Sequence, residues 1–403
     1  MSPARAIAIA ALRRIRGGRV EIFENGERLA FGPSGSELRI RIDVHDRSFW
    51  RGALRGSLGL AEAYLDGAWD CDDLTTLARI AARDLPRLDG PRRAVLPLRR
   101  LVERLPLNTV EGARRHISAH YDLGNELFET FLDPTMTYSC AAYDSPQTTL
   151  AEAQEAKLDR ICRKLELDAN DHLLEIGSGW GSLAIHAAVN YGCRVTTTTI
   201  SSRQHELAAR RVAEAGVGDR VTVLLEDYRE LSGRFDKLVS IEMIEAVGWQ
   251  YFELFFRRCA ELLREGGLML LQAITIDDRF YELEKDTKTF TTAYVFPSGC
   301  LPSLEVMRRC ASGAGLVEVG LEDMTDSYPL TLRDWRRNFV AARKRVAELG
   351  YDRRFRRLWD LYLSWSEGGF LERRIQDYQQ LLVAPGLARS RPQPRELSLA
   401  AGG

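Results

Sequence analysis

Polar and apolar positions alternate through Arg19-Val20-Glu21-Ile22-Phe23 and through Arg28-Leu29-Ala30-Phe31, with Asn25-Gly26 between the two runs. A period of two puts the apolar side chains of an extended segment on one face, and Asn-Gly accepts the positive φ angles of a tight reversal. The pattern predicts a β-hairpin. Leu38 to Val44 repeats the period, a basic Ala/Ile-rich segment ahead of the hairpin reads as a helix, and Ser57 to Ala82 reads as helical. Residues 1–84 are therefore expected to form a small α+β domain.

Between Asp84 and Thr109 the pattern is lost. Pro86, Pro91, Pro97 and Pro106 are interleaved with Arg92, Arg93, Arg99, Arg100 and Arg104, so residues 85–115 read as a linker carrying a short basic amphipathic helix. It reads either as a solvated connector or as a segment drawn to an anionic lipid surface.

Beyond the linker, short apolar strands alternate with helices. Strands are expected at His172–Ile176, Arg194–Ile200, Val221–Leu225, Lys237–Ile241 and Leu268–Ile274. Helices are expected at Leu150–Leu167, Ser182–Asn190, Arg203–Ala215 and Tyr251–Arg264. This order specifies the α/β class, with a doubly wound, mainly parallel sheet. Leu332–Leu349 and Arg353–Ile375 follow as aromatic-bearing helices, so residues 116–403 are expected to form a catalytic domain with helical C-terminal additions.

A chain of 403 residues exceeds one ordinary core, in keeping with two domains of unequal size. Its net charge of −1 argues against nucleic acid as a partner, since phosphate backbones demand a cationic excess. Seven scattered cysteines show neither paired nor zinc-ligand spacing, so no metal site is expected, and reduced thiols fit a cytoplasmic protein. No apolar run approaches the roughly 18–20 residues of a membrane span. Contact with a bilayer is expected to be peripheral.

Glu175-Ile176-Gly177-Ser178-Gly179-Trp180-Gly181 joins a predicted strand to a predicted helix. Glycines let a ligand approach the backbone, and the helix start presents amides to it. The spacing GxGxG is not the dinucleotide GxGxxG, and the Lys-Ser/Thr of a phosphate loop is absent. An acidic residue ahead of the glycines suits a zwitterionic amino-acid moiety, which favours S-adenosylmethionine over NAD. The second strand lacks the usual ribose-binding acid; the Thr199 hydroxyl and Gln204 amide are candidates in its place. Asp227 and Tyr228 offer a carboxylate and an aromatic face for adenine, or form an ordinary turn.

Several motifs now converge. His120-Tyr121-Asp122-Leu123-Gly124-Asn125, Thr137-Tyr138-Ser139-Cys140-Ala141-Ala142-Tyr143, the glycine loop, Ile244-Glu245-Ala246-Val247-Gly248, Phe296-Pro297-Ser298-Gly299-Cys300-Leu301-Pro302-Ser303 and Gly368-Gly369-Phe370-Leu371-Glu372-Arg373-Arg374-Ile375 together resemble the cyclopropane fatty acyl phospholipid synthase family. The resemblance implies methyl transfer from S-adenosylmethionine to a cis double bond of an unsaturated phospholipid acyl chain, then proton loss and ring closure, with bound bicarbonate as the base. It assigns the bicarbonate ligands to Cys140, Glu245, the backbone of Ile274, and Tyr328. It assigns cofactor contacts to Tyr138, Ser139, Gly177, Gly179, Thr199, Gln204, Asp227 and Tyr228. It also implies a peripheral enzyme at the inner face of the membrane that tends to dimerise.

The chain departs from the family pattern at three places. Ala246 and Gln272 stand where the family often has His, and Gln272 still offers an amide donor to an anion. Phe290-Thr291-Thr292-Ala293-Tyr294 replaces a family Trp-Ile-x-Lys-Tyr and so loses a cation and an indole.

Methylating an alkene creates a carbocation, which calls for a dry pocket with electrostatics arranged in advance. Tyr143, Phe252, Tyr294 and Phe296 are candidates to face that charge, or are core packing. Cys140 reads as an anion neighbour or as an inert buried thiol. Glu245 reads as the group that orients bicarbonate or as a helix cap. Alternative outcomes are a 10-methylene or 10-methyl branch, methylation of a small molecule, or a lipid-binding protein without turnover.

Overall fold

Val20, Ile22, Ile40 and Ile42 are buried on one side of a small sheet, as their alternation requires. The computed structural model describes residues 2–85, 87, 123–297 and 299–385. The small sheet comprises β1 (Arg19–Glu24), β2 (Glu27–Phe31), β3 (Arg39–Val44) and β4 (Trp69–Cys71) in the order β2-β1-β3-β4. Asn25 and Gly26 take φ of 49° and 81°, so the hairpin forms as expected. The expected helix over Ser57–Ala82 is instead divided. One helix spans Gly56–Leu65, Gly67 reverses the chain at φ 78°, β4 buries Trp69, and a second helix occupies 74–85. A helix at Ser48–Leu54 was not anticipated.

The large sheet contains β5 (His172–Ile176), β6 (Arg194–Thr198), β7 (Val221–Leu224), β8 (Phe235–Ile241), β9 (Leu263–Ile276), β10 (Val317–Asp323) and β11 (Ile375–Val383). Their order is β10-β11-β9-β8-β5-β6-β7. The first five are parallel, whereas β11 runs antiparallel to both β9 and β10. Strand order reverses beside β5, where doubly wound sheets open a crevice at their carboxyl edge.

Two expectations at the C-terminal side are corrected. The last helix spans Arg353–Leu371 and stops before Arg373, whose φ is 49°; the following residues form β11. The apolar pattern of β11 is masked because Asp377, Gln379 and Gln380 lie buried within it. Expected helix Leu332–Leu349 is two helices, Tyr328–Ala341 and Arg343–Glu348.

The small sheet has no core of its own. Val20, Ile40, Trp50 and Trp69 belong to one apolar cluster with Phe128, Phe131, Trp335 and Trp359, so the first segment and the C-terminal helices fold onto each other. Arg357 reaches Asp70 at 2.7 Å and the carbonyls of Tyr64 and Trp69 at 2.7 and 2.8 Å. Glu372 accepts from Arg79 and Arg83 at 2.7 and 2.6 Å. Nearly all of the linker at 85–115 lies outside the described residues.

Gly368 sets the closest approach at this junction, since a Cβ there would stand 2.5 Å from Ala78 Cβ and 2.9 Å from the Thr75 carbonyl oxygen. Gly368→Val is expected to destabilise the protein by about 1–3 kcal/mol through overpacking. Gly35→Ala, where nothing lies within 4 Å, should stay within about 0.5 kcal/mol. Denaturant midpoints of the two variants check the difference.

Candidate active site

β5 delivers Ile176 into the glycine loop, where Gly177, Gly179 and Gly181 take φ of 99°, 49° and 88°. The N–H groups of Gly177 and Ser178 both donate to the Thr198 carbonyl, at 3.0 and 2.9 Å, which folds the loop back over β6. A Cβ on Gly177 would lie 3.1 Å from Met243 Cγ, whereas one on Gly179 would meet nothing within 4 Å. Gly179 therefore borders open space.

That space is a cavity of about 450 Å³. All eight residues assigned to the cofactor line it: Tyr138, Ser139, Gly177, Gly179, Thr199, Gln204, Asp227 and Tyr228. Thr199 Oγ1 donates to Gln204 Oε1 at 2.8 Å, and Arg229 pairs with both oxygens of Asp227 at 2.8 and 2.7 Å. Lys157, wholly buried, donates to Ser139 Oγ at 2.5 Å. Glu175 also lines the cavity and accepts from Thr197 Oγ1 at 2.5 Å. Burial pushes its pKa up to about 8, against the pull of Thr197 and Lys157. A glycine cradle beside carboxylates, amides and an aromatic face fits S-adenosylmethionine.

Toward β9 the same cavity meets a buried polar cluster. Glu242, the first residue after β8, holds φ at 48°, a costly conformation for a side-chain-bearing residue. Its Oε1 accepts the Cys140 N–H and the Gln272 amide, both at 2.8 Å, and its Oε2 accepts the Tyr328 hydroxyl at 2.7 Å. Gln272 also donates to Asp377 Oδ2 at 3.0 Å and accepts from Gln379 at 3.0 Å. Glu245 Oε1 accepts the Ile274 N–H at 2.5 Å, while Glu245 Oε2 and Asp377 Oδ1 are buried without a hydrogen-bond partner.

Comparison with known proteins places this geometry. Residues 109–380 match the family model for mycolic acid cyclopropane synthetase. The chain belongs to that family. It is 39% identical over 344 residues to the tuberculostearic acid methyltransferase UfaA1 of Mycobacterium tuberculosis, covering 82% of this chain and 80% of that one. It is 37% identical over 341 residues to the cyclopropane-fatty-acyl-phospholipid synthase of Escherichia coli K12, covering 84% and 86%. The crystal structure of mycolic acid cyclopropane synthase CmaA1 complexed with SAH and CTAB superposes with a TM-score of 0.63 at 30% identity, covering 67% of this chain and 98% of that one. The protein is an S-adenosylmethionine-dependent methyltransferase with the matching fold.

Within this family member, Glu245, Ile274 and Tyr328 line the cavity as expected. Cys140 and Gln272 stand behind that wall. The Cys140 thiol donates to the carbonyls of Ala141 and Met324, at 3.3 and 3.7 Å, and burial raises its pKa well above that of an ordinary thiol. What Cys140 gives the site is its backbone N–H.

The bicarbonate assignment does not fit this chain. Cys140, Gln272 and Tyr328 spend their donors on Glu242, and the two remaining members of the set, Glu245 and Ile274, pair with each other.

The aromatic wall differs too. Phe296 lines the cavity, but Phe252 belongs to the core behind the large sheet, Tyr143 donates to Asp334, and Tyr294 is 40% exposed and donates to Glu62. Trp335, Tyr362, Trp365 and Phe370 line it in their place. They sit on helices whose aromatic residues were legible, although their direction was not. Lys157, Glu242 and Asp377 were also missed. Lys157 carried a signal, because it shares a helical stripe with Ala153 and Ile161 (i−4 and i+4).

Gly179→Val is expected to weaken S-adenosylmethionine binding about tenfold or more, since a left-handed branched residue costs about 1–2 kcal/mol and its side chain would occupy the cavity; calorimetry reads it. A second outcome concerns pH. Burial, with the charge of Glu242, raises Glu245 from the usual 4.5 to about 8. The folded state then holds a proton that the unfolded chain has released. Stability from this group is fully present below about 4.5 and is lost as pH rises toward about 8. Glu245→Gln should flatten the fall of melting temperature across that window.

Proposed function

We propose that this enzyme adds a one-carbon unit to the cis double bond of an unsaturated acyl chain carried by a phospholipid, and closes it into a cyclopropane ring. The observation that carries the reading is the continuity of one cavity. Its lining joins the glycine loop and the buried Glu175, Glu242 and Glu245 to an apolar wall of Phe296, Leu332, Trp335, Tyr362, Trp365 and Phe370. Ala78, Ala82 and Leu85, from the helix at 74–85, line it as well. Such a space suits a hydrocarbon tail laid against a polar reaction centre.

Bound at the glycine loop, S-adenosylmethionine supplies an electrophilic methyl group. The chain's part is to position and to stabilise. Tyr138 and Tyr362 share a hydrogen bond of 3.0 Å between their hydroxyls, which fixes two rings at the wall. Tyr328 stacks on Phe370 with centroids 4.0 Å apart. Aromatic faces stabilise a nearby cation by about 0.5–2 kcal/mol each, and their bulk excludes water that would trap it. Glu245, held neutral by burial, keeps a proton at the site without adding a second negative charge beside Glu242.

A second reading is favoured by one particular: Gln272 stands where the family often has His, and a relative of comparable identity bears the name tuberculostearic acid methyltransferase. After methylation of one alkene carbon the cation rests on the other. Direct loss of a methyl proton closes the ring, whereas a hydride shift before that loss leaves an exocyclic methylene. The acyl chain is supplied from a bilayer surface by peripheral contact; among the described residues no helix is long and apolar enough to cross a membrane.

Purified protein given S-adenosylmethionine and phosphatidylglycerol vesicles with cis-monounsaturated chains should yield lipid one CH₂ heavier. Proton NMR should show ring methylene signals, and vinylidene signals would select the second reading. No mass change on vesicles, together with turnover of water-soluble acceptors, would sink both.

A further inference from the structure

The resemblance supplies an exogenous anion as base, and the geometry points elsewhere. We propose that Glu242 takes the place of that anion, so that a carboxylate of the chain itself removes the proton. The inference rests on the reading given under Proposed function. Glu242 lines the cavity next to Met243, and Met243 packs against the position a Gly177 side chain would take. The carboxylate thus stands beside the loop that presents the methyl donor.

Three donors from distant parts of the chain, Cys140 N–H, Gln272 Nε2 and Tyr328 OH, converge on its two oxygens at 2.7–2.8 Å. These are donors that the family resemblance and its His-to-Gln departure set against an anion. A left-handed φ at Glu242 holds the carboxylate there, and strain of this kind collects at functional positions.

The charge balance selects Glu242 among its neighbours. Facing it are Glu245 from the segment after β8, Asp377 from β11, Lys157 from the helix Leu150–Lys164, and the uncharged Cys140 and Tyr328. The Lys157 ammonium acts on Glu242 and Asp377, and on Glu175 as well. Asp377 is raised well above the usual range by burial and by Glu242, and Glu245 is raised to about 8 for the same two reasons. Glu245 holds its proton near neutrality. Glu242 is also raised by burial, and Lys157 acts on it as it does on Asp377, but Glu242 alone of the three receives three donors, so the negative charge rests on it.

The step balances. Once the methyl carbon has bonded to one alkene carbon, the other bears the positive charge. Glu242 takes one proton from that methyl group, and the electron pair of the broken C–H bond becomes the bond that closes the ring. Glu242 ends neutral. The exocyclic product would use the same proton transfer after a hydride shift.

The test uses the full chain with S-adenosylmethionine and phosphatidylglycerol vesicles, in buffer freed of carbon dioxide and again with added bicarbonate. Wild-type turnover should be the same in both. Glu242→Ala should lose about 10²–10⁴-fold, the usual contribution of a general base, and should recover part of it when bicarbonate is added. Its affinity for S-adenosylmethionine by calorimetry should stay near that of the wild type. Without vesicles, bicarbonate should raise the melting temperature of Glu242→Ala and leave the wild type unmoved. Wild-type turnover that collapses without bicarbonate would overturn the proposal, as would Glu242→Ala at full rate in bicarbonate-free buffer. Should no lipid product form under any condition, the parent reading fails; the melting response then decides by itself whether Glu242 fills the anion position.

Discussion

A carboxylate stripped of water is costly unless the fold brings donors to it. At the carboxyl end of β8 the chain gathers them from segments 102, 30 and 86 residues away: the Cys140 amide, the Gln272 side chain in β9 and the Tyr328 hydroxyl at a helix start. Each of these segments is fixed in turn by the sheet or by the aromatic core. The active cavity is therefore the place where the large sheet, the loop before the helix Leu150–Lys164 and the C-terminal helices must all agree.

The cavity divides its work by polarity. Its glycine-loop end carries carboxylates, amides and backbone donors suited to a charged cofactor, and its other end is built from aromatic and aliphatic side chains. The buried Glu175, Glu242 and Glu245 line it too. Carboxyl groups and ring faces thus border one cavity, an arrangement fixed in advance that can stabilise charge without solvent reorganisation.

Much of this was legible in the chain, for identifiable reasons. Apolar strands alternating with helices fixed the parallel part of the sheet. The glycine loop and the turns after β6 and β7 pointed to six residues that line the cavity, Gly177, Gly179, Thr199, Gln204, Asp227 and Tyr228, because backbone geometry at a strand end leaves few options, whereas Tyr138 and Ser139 came from the family motif. β11 escaped since its buried Asp377, Gln379 and Gln380 read as surface, and their burial depends on partners in β9 and β10. Glu242 escaped for a related reason: three residues before Glu245, it looked like one more acid after a strand. Only the convergence of donors from far along the chain distinguishes it. The direction of aromatic side chains on the C-terminal helices was likewise set by packing that no local pattern records.

The helix at 74–85 contributes Ala78, Ala82 and Leu85 to the cavity, yet it precedes the family-matched region, which begins at residue 109. That helix thus borders the cavity from outside the region of the family model, although the matches to the two relatives, at 82% and 84% of the chain, reach back across it. Two alanines there leave depth that bulkier residues would take away. The size of the residues at 78 and 82 therefore bears on the volume of the cavity from a stretch of chain far removed from the glycine loop and its acids.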